Sequence, residues 1–214
     1  MGIVGEAVQR TYELHQAGEY DEALAALRPA LDETARMHYG AEKAAGRLSL
    51  RFLADNMRLI TLVGMSGLCA NDMMVQCPPL AEPDRDGYCP LEQVLYNFMC
   101  VIPGQSCGCE LVWRQDIVLY VDKDNRIYLM PMLISALILS VAACPVNKDE
   151  RVSDACWLAT ELLRCALNDV WGDYDRLMEW AEKEKFEQSR NNPDKTYQLP
   201  QNEKIRQKNR EELK

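Results

Sequence analysis

The central constraint on this chain is residues 127–144, IYLMPMLISALILSVAAC, an almost unbroken apolar run. Pro131 suits the first turn of a helix, where its missing N–H breaks no hydrogen bond, and Pro145 ends the helix. That leaves about 13 helical residues, whereas a bilayer needs about 20. A helix that is apolar on nearly every face must be surrounded by protein. The sequence therefore predicts a mainly α protein, a helical bundle around a buried central helix.

The other elements follow from the period of the apolar residues. A period near 3.6 predicts amphipathic helices over residues 3–16, 21–38, 48–63, 91–101, 152–171 and 174–190. Between the helix at 91–101 and the central helix the pattern alternates, which predicts short strands at 110–113, 116–121 and 126–130. The run DKDN at 122–125 is the turn between the last two strands. It begins like a calcium loop, with Asp122, Asp124 and Asn125, but Arg126 and Ile127 replace the residues that such a loop needs next.

This pattern predicts three regions. Residues 1–40 form an N-terminal helical hairpin, residues 41–190 a helical bundle with a small β-hairpin or three-strand insertion at 110–130, and residues 191–214 a flexible polar tail. The join QAGEYDEAL resembles the turn of a tetratricopeptide repeat. The pattern does not recur, and a solenoid needs about three repeats to bury its faces. The resemblance therefore implies a lone hairpin.

Charge and cysteine content limit the functional classes. The formal net charge is −9, and residues 181–214 carry nine Lys and Arg against seven Asp and Glu, so residues 1–180 carry −11. An acidic body repels phosphate, which argues against a broad nucleic-acid surface. The nine cysteines and the absence of an apolar export signal at the N-terminus predict free thiols in a reducing cytoplasm. No segment is long enough to cross a membrane.

One group of cysteines raises the possibility of a metal site. Cys77 and Cys89 each precede a proline, and Cys107 and Cys109 follow one helix later. Four thiols in loops around one helix are the ligand set of a tetrahedral zinc. Structural zinc sites usually contain two C-x₂₋₄-C pairs, however, and only the C-G-C pair is tight here. The favoured interpretation is therefore free thiols and no cofactor. The alternative is that the four cysteines bind zinc.

Few residues are available for catalysis. The chain has two histidines, and it lacks a GxSxG elbow, a Walker A loop, GxGxxG and HExxH. Arg10 and His15 match R-x₄-H. This spacing resembles that of the HEPN helical-bundle ribonucleases, in which the guanidinium binds the scissile phosphate and the imidazole moves a proton. In those proteins the motif stands late in the bundle, and here it stands in the first helix.

A longer stretch, residues 52–152, resembles uncharacterised bacterial proteins with a HEPN-like layout. The shared segments are FLADNMRLITLVG, LEQVLYNFM, ELVW…DIVLYVDKDNRIYL and CPVNKDERV. The resemblance implies an Arg at the end of the LEQVLYNFM helix and a His about five residues later. Cys100 and Gln105 stand there instead. If the resemblance holds, this chain has lost the phosphate clamp and the proton carrier, and it binds rather than cuts.

Three functional classes remain. The favoured one is a non-catalytic interaction or regulatory protein of the bacterial cytoplasm, in a defence or toxin–antitoxin context, with a protein partner or as a homodimer. The acidic body would complement a basic partner. The second is a metal-independent endoribonuclease that uses Arg10 and His15. The third is a zinc- or thiol-dependent regulator that uses Cys77, Cys89, Cys107 and Cys109.

Overall fold

The computed structural model describes residues 2–42, 46–79, 81–84, 86–101, 108–116 and 119–191. The protein is mainly α with small β insertions. Among these residues, the helices are α1 (Ile3–Ala17), α2 (Tyr20–His38), α3 (Gly46–Asp55), α4 (Met57–Gly64), α5 (Leu91–Cys100), α6 (Met132–Ala142) and α7 (Tyr174–Asn191). The strands are β1 (Met74–Gln76), β2 (Tyr88–Pro90), β3 (Glu110–Trp113), β4 (Leu119–Val121), β5 (Arg126–Leu129), β6 (Trp157–Ala159) and β7 (Arg164–Ala166).

The central helix is confirmed. Every residue of α6 from Leu133 to Ala142 is buried, and Pro131 precedes its first turn. After the helix, Pro145 opens one turn of 3₁₀ helix, Pro145–Asn147. The helix contacts α1, α2 and α4. Burial on all sides removes from water the apolar surface that the sequence concentrates in this segment.

The packing of α4 against α6 depends on a glycine. A Cβ at Gly64, the last residue of α4, would lie 2.9 Å from both the Cβ of Ala136 and the Cα of Leu133. Real Cβ atoms do not approach other atoms so closely, so only a glycine lets α4 pack against α6 at this distance. This contact limits how closely α4 and α6 can approach each other.

The first two helices form the predicted hairpin. Gly18 ends α1 with φ +80, and α2 continues through Pro29 to His38. Val4 and Val8 of α1 and Leu24 and Leu27 of α2 belong to the same apolar core as α6.

The prediction of one helix over 48–63 is wrong. The chain forms α3 and α4, which are separated at Asn56. The Asn56 side chain donates to the carbonyl of Phe52 (2.8 Å), so it competes with the helical backbone at the break. The break ends α3 at Asp55, and this end lines the cleft described below.

The β insertion at 110–130 is confirmed. Strand β5 lies in the middle of a three-stranded sheet, parallel to β3 and antiparallel to β4. The turn between β4 and β5 is the one predicted: Asp122 Oδ1 accepts from the N–H groups of Asp124 and Arg126 (both 2.9 Å), and Asn125 has φ +60. A second, two-stranded sheet pairs β1 with β2 on either side of the proline-rich loop.

The predicted helix over 152–171 is also wrong. Residues 157–166 form a hairpin, in which β6 and β7 are antiparallel, and a 3₁₀ turn follows at Leu167–Asp169. Thr160 fixes the hairpin turn, because its Oγ1 accepts from the N–H of Leu163 (3.0 Å) and its own N–H donates to the Leu163 carbonyl (2.7 Å). Trp157 is therefore exposed, while Leu158 and Cys165 face the core.

Candidate functional site

The proposed ribonuclease pair is not brought together. Arg10 is exposed, and His15 is half-buried, with Nε2 3.2 Å from the carbonyl oxygen of Pro131. Five residues along an α-helix turn a side chain by about 140°, so the two side chains leave α1 on different faces. Burial lowers the pKa of His15, although its hydrogen bond to Pro131 acts in the opposite direction.

The position expected to hold the arginine of a HEPN-type site lies beside an arginine from another helix. Cys100 ends α5 and is exposed, and its thiol interacts with the side chains of Arg28 and Tyr96. Arg28 pairs in turn with Asp32 (3.4 Å) on α2. This carboxylate already neutralises the guanidinium. Gln105 lies outside the described residues.

The cysteine group is partly assembled. Cys77 and Cys89 lie near each other at the base of the β1–β2 loop, where burial, and then the neighbouring Cys77, raise the pKa of Cys89. Cys109 is half-buried next to Gly108, and Cys107 lies outside the described residues. In the described parts of the chain, no three Cys, His, Asp or Glu side chains lie close enough together to hold a metal ion.

A cleft that the sequence did not reveal lies where four helix ends meet. It encloses about 330 Å³, and residues from the C-terminal ends of α2, α3 and α6 and from the N-terminal end of α7 line it. The lining residues are His38, Phe52, Asp55, Asn56, Cys144, Pro145, Gly172, Asp173, Tyr174 and Asp175.

Gly172 holds the start of α7 against the end of α6. It has φ +72, and its N–H donates to the carbonyl of Ala142 (2.9 Å). A Cβ at this position would lie 2.4 Å from the Cβ of Lys148. A larger residue would therefore push the segment 172–175 away from the cleft.

The cleft is strongly electronegative. Three helices end there with their C-termini, each of which carries about half a negative charge from the aligned peptide dipoles. Asp55, Asp173 and Asp175 add three carboxylates, and none of the described lining residues is Lys or Arg. The N-termini of α7 and of α4, which begins directly after the lining residue Asn56, oppose this potential. Asp173 caps the first of them, with Oδ1 3.4 Å from the N–H of Arg176.

Two of the three carboxylates already have partners. Asp55 accepts a hydrogen bond from the hydroxyl of Tyr39 (2.6 Å) and lies 3.7 Å from Arg51, and Asp173 lies 3.9 Å from Arg176. Burial, and then the bond to Asp55, raise the pKa of Tyr39 far above its ordinary value. Asp175 is exposed at the mouth of the cleft.

A thiol and an imidazole meet in the wall of the cleft. The Sγ of Cys144 lies 3.6 Å from Nδ1 of His38, whose ring packs edge-on against Phe52. A nucleophilic thiolate needs a positive environment, such as a helix N-terminus. Cys144 instead follows the C-terminus of α6, and burial raises its pKa. The pair therefore favours a neutral hydrogen bond over an activated nucleophile.

Comparison with known proteins gives one match. The model of the family described as Rv1289 matches residues 3–198. The chain belongs to the Rv1289 family. No curated protein and no solved structure matches this Rv1289-family chain. The described part of the chain contains no helix with both the length and the apolar character to span a bilayer.

Sequence reasoning selected none of the cleft residues. One local signal was available: Asp55 ends a helix, where the peptide dipoles disfavour a carboxylate. A charge in an unfavourable local position often has a functional reason. The rest of the negative potential in the cleft comes mainly from helix ends that converge there. This convergence is a property of the tertiary structure of this Rv1289-family member.

Proposed function

We propose that this protein is a non-catalytic binding protein and that its cleft binds a small organic cation. One observation carries the proposal: three helix C-termini and three carboxylates surround the cleft, and none of its described lining residues is a Lys or Arg. A cation in the cleft gains from each of these negative charges, and the low dielectric of the surrounding core strengthens the attraction.

The shape and lining favour an ammonium ion with an apolar body. The volume of about 330 Å³ is at the small end of the range for ligand pockets. The half-buried ring of Tyr174 offers apolar surface and cation–π contact. The described carboxylates do not converge as metal ligands do, so they suit the larger radius of an organic cation.

The same groups argue for binding without turnover. Cys144 lacks the electrostatic support that a thiolate needs, and Asp55 and Asp173 are engaged by Tyr39 and Arg176. A general base must be free to accept a proton from its substrate.

Calorimetric titration with n-butylammonium tests the proposal. Butyrate, which has similar size and the opposite charge, is the ligand control. We expect saturable binding of butylammonium and none of butyrate. Asp175→Asn should weaken binding about tenfold, or about 1.4 kcal/mol in binding free energy, because it removes a charge and keeps the shape.

Asp86→Asn is the matched protein control, since Asp86 is exposed in the β1–β2 loop, away from the cleft. Equal binding of the cation and the anion, or equal affinities of Asp175→Asn and wild type, would contradict the proposal.

A partner protein is the second candidate, and the exposed Trp157 favours it. This indole is 52% exposed on β6, and tryptophan is enriched in interface hot spots. We propose a regulator in a bacterial cytoplasm, in the defence or toxin–antitoxin context that the HEPN resemblance implies, which pairs with a basic partner or with itself.

Light scattering shows whether the chain pairs with itself or needs a different, basic partner. A homodimer would have twice the chain mass of 24.4 kDa, and Trp157→Ser should shift it toward the monomer. Phe186→Ser is a control, because Phe186 is also exposed and apolar but lies on α7. A monomer at all concentrations would eliminate the homodimer and leave the basic partner.

A further inference from the structure

The thiols of Cys77 and Cys89 form a pair outside the cleft. Cys77 directly follows β1, and its N–H donates to the carbonyl of Gly87 (3.0 Å). Cys89 lies in β2 opposite Val75. The antiparallel pairing thus brings together two residues twelve positions apart, because Cys77 lies diagonally across from Cys89 on the same face of the two-stranded ladder.

The pair is held in a preformed loop. Asp84 closes the loop: its Oδ1 accepts from the N–H groups of Asp86 (3.0 Å) and Tyr88 (2.8 Å), and its own N–H donates to the Tyr88 carbonyl (2.6 Å). Each cysteine precedes a proline, Pro78 or Pro90, which restricts its backbone to extended conformations. Little conformational entropy is therefore lost when both sulfurs bind one ligand.

A ligand can approach the pair only from the side of Cys77. Cys89 is fully buried, and Cys77 is half-buried with its thiol 3.3 Å from the carbonyl oxygen of Ala81. A ligand therefore arrives at Cys77 and is shared with Cys89. A buried site that offers two soft sulfurs selects a soft or borderline metal ion over Mg²⁺ or Ca²⁺.

We propose that Cys77 and Cys89 together bind a thiophilic d¹⁰ metal ion, either Cu⁺ or Zn²⁺. On binding, each S–H bond breaks heterolytically, each sulfur forms a bond to the metal with the electron pair left behind, and two protons go to solvent. No electron is transferred, so no oxidant or reductant is required.

The two ions differ in the number of donors that they need. Two thiolates suffice for Cu⁺, whereas Zn²⁺ takes four ligands. Cys109 is the third described thiol in this region, because Gly108 next to it is in van der Waals range of Pro79: a Cβ on the glycine would lie 3.5 Å from the Pro79 Cβ. Zinc binding would draw in Cys109 and one water molecule as the fourth ligand, and copper binding would not.

The test uses the full chain, reduced with a phosphine, stripped with a chelator and then supplied with Cu⁺ or Zn²⁺ separately. Native mass spectrometry and chelator competition should show one ion per chain. Cys77→Ser should weaken binding at least 100-fold, while Cys69→Ser, an exposed cysteine elsewhere, should bind like wild type. Cys109→Ser should weaken the binding of Zn²⁺ and leave the binding of Cu⁺ unchanged.

A second measurement needs no variant. A pH-stat titration of the wild-type chain should record two protons released per ion bound. Retention of neither ion by the folded, reduced chain would overturn the proposal, and so would a Cys77→Ser chain that binds as tightly as wild type. Neither result bears on the cleft, which shares no residue with this pair.

Discussion

The thiol of Cys144 lies 3.6 Å from Nδ1 of His38, so residues 106 positions apart meet in the wall of the cleft. The pair joins the end of the buried helix α6 to the end of α2. It looks like a nucleophile with its base, but Cys144 is almost fully buried, follows a helix C-terminus and has a raised pKa. This electrostatic environment disfavours a thiolate at Cys144, so the pair is a structural contact and not a nucleophile with its base.

We therefore expect Cys144 to resist alkylation. With iodoacetamide at neutral pH, Cys69, which is exposed beside Arg58, should be modified at least tenfold faster than Cys144. Peptide mass spectrometry at successive times measures both rates, and labelling in denaturant shows that both thiols are reactive when exposed. If Cys144 were the first thiol labelled in the folded chain, it would be an activated nucleophile.

Gly64→Ala should destabilise the fold by about 1–3 kcal/mol, because the added methyl meets Ala136 and Leu133 at 2.9 Å and forces α4 away from α6. Urea unfolding measures the change. Gln16→Ala, on an exposed position of α1, should stay within about 0.5 kcal/mol of wild type. If Gly64→Ala were as stable as wild type, the two helices would not be in this close contact.

Asn147→Ala should cost about 2–3 kcal/mol of folding free energy. Asn147 is buried, and its amide donates to Thr34 Oγ1 (2.9 Å) and to the carbonyl of Val141 (2.7 Å). Its removal takes a buried donor from both oxygens and leaves the Val141 carbonyl only the longer bond from the N–H of Cys144 (3.3 Å). In a double-mutant cycle, Thr34→Val should couple to Asn147→Ala by about 1 kcal/mol. Additive effects would mean that this hydrogen bond does not link α2 to the end of α6.

The buried imidazole of His15 should make stability depend on pH. Its folded pKa is below the ordinary value of 6.5, so the unfolded chain takes up the proton first. The contribution of His15 to the free energy of unfolding should therefore be fully present above about pH 6.5, and it should be lost as the pH drops toward the folded pKa. Protonation would also leave Nδ1–H buried without an acceptor.

Urea unfolding of wild type and His15→Gln between about pH 7.5 and 5.5 checks this prediction, and the variant should show the shallower slope. Parallel slopes would contradict it. The same variant tests the ribonuclease alternative, since RNA cleavage that is present in wild type and lost in His15→Gln would support a catalytic role for this residue.

Local patterns predict the elements whose burial is uniform. The central helix is one such element, because every residue from 133 to 142 is buried and no choice of face is needed. The pattern at 157–166 predicts a helix where a hairpin forms. Its buried residues Leu158, Leu162 and Cys165 fit a helical period as well as they fit the buried faces of two strands. The turn formed by Thr160 decides between them, and its hydrogen bonds are not a pattern of hydrophobicity.

The two sites differ in how far the sequence predicts them. Cys77 and Cys89 stand out because of their residue type, so the sequence alone selects them. The cleft draws on residues from 38 to 175 and on the dipoles of helix ends, which are backbone properties that no side-chain pattern records. Only the assembled bundle reveals that potential.

Amide chemical shifts during titration with n-butylammonium are the sharpest test of whether the cleft binds a cation. We expect saturable shifts at the cleft residues of α2, α3, α6 and α7, such as His38, Asp55, Cys144 and Asp175, with an affinity that weakens as salt is added. Shifts that are absent, that map to another surface, or that butyrate reproduces equally would contradict it.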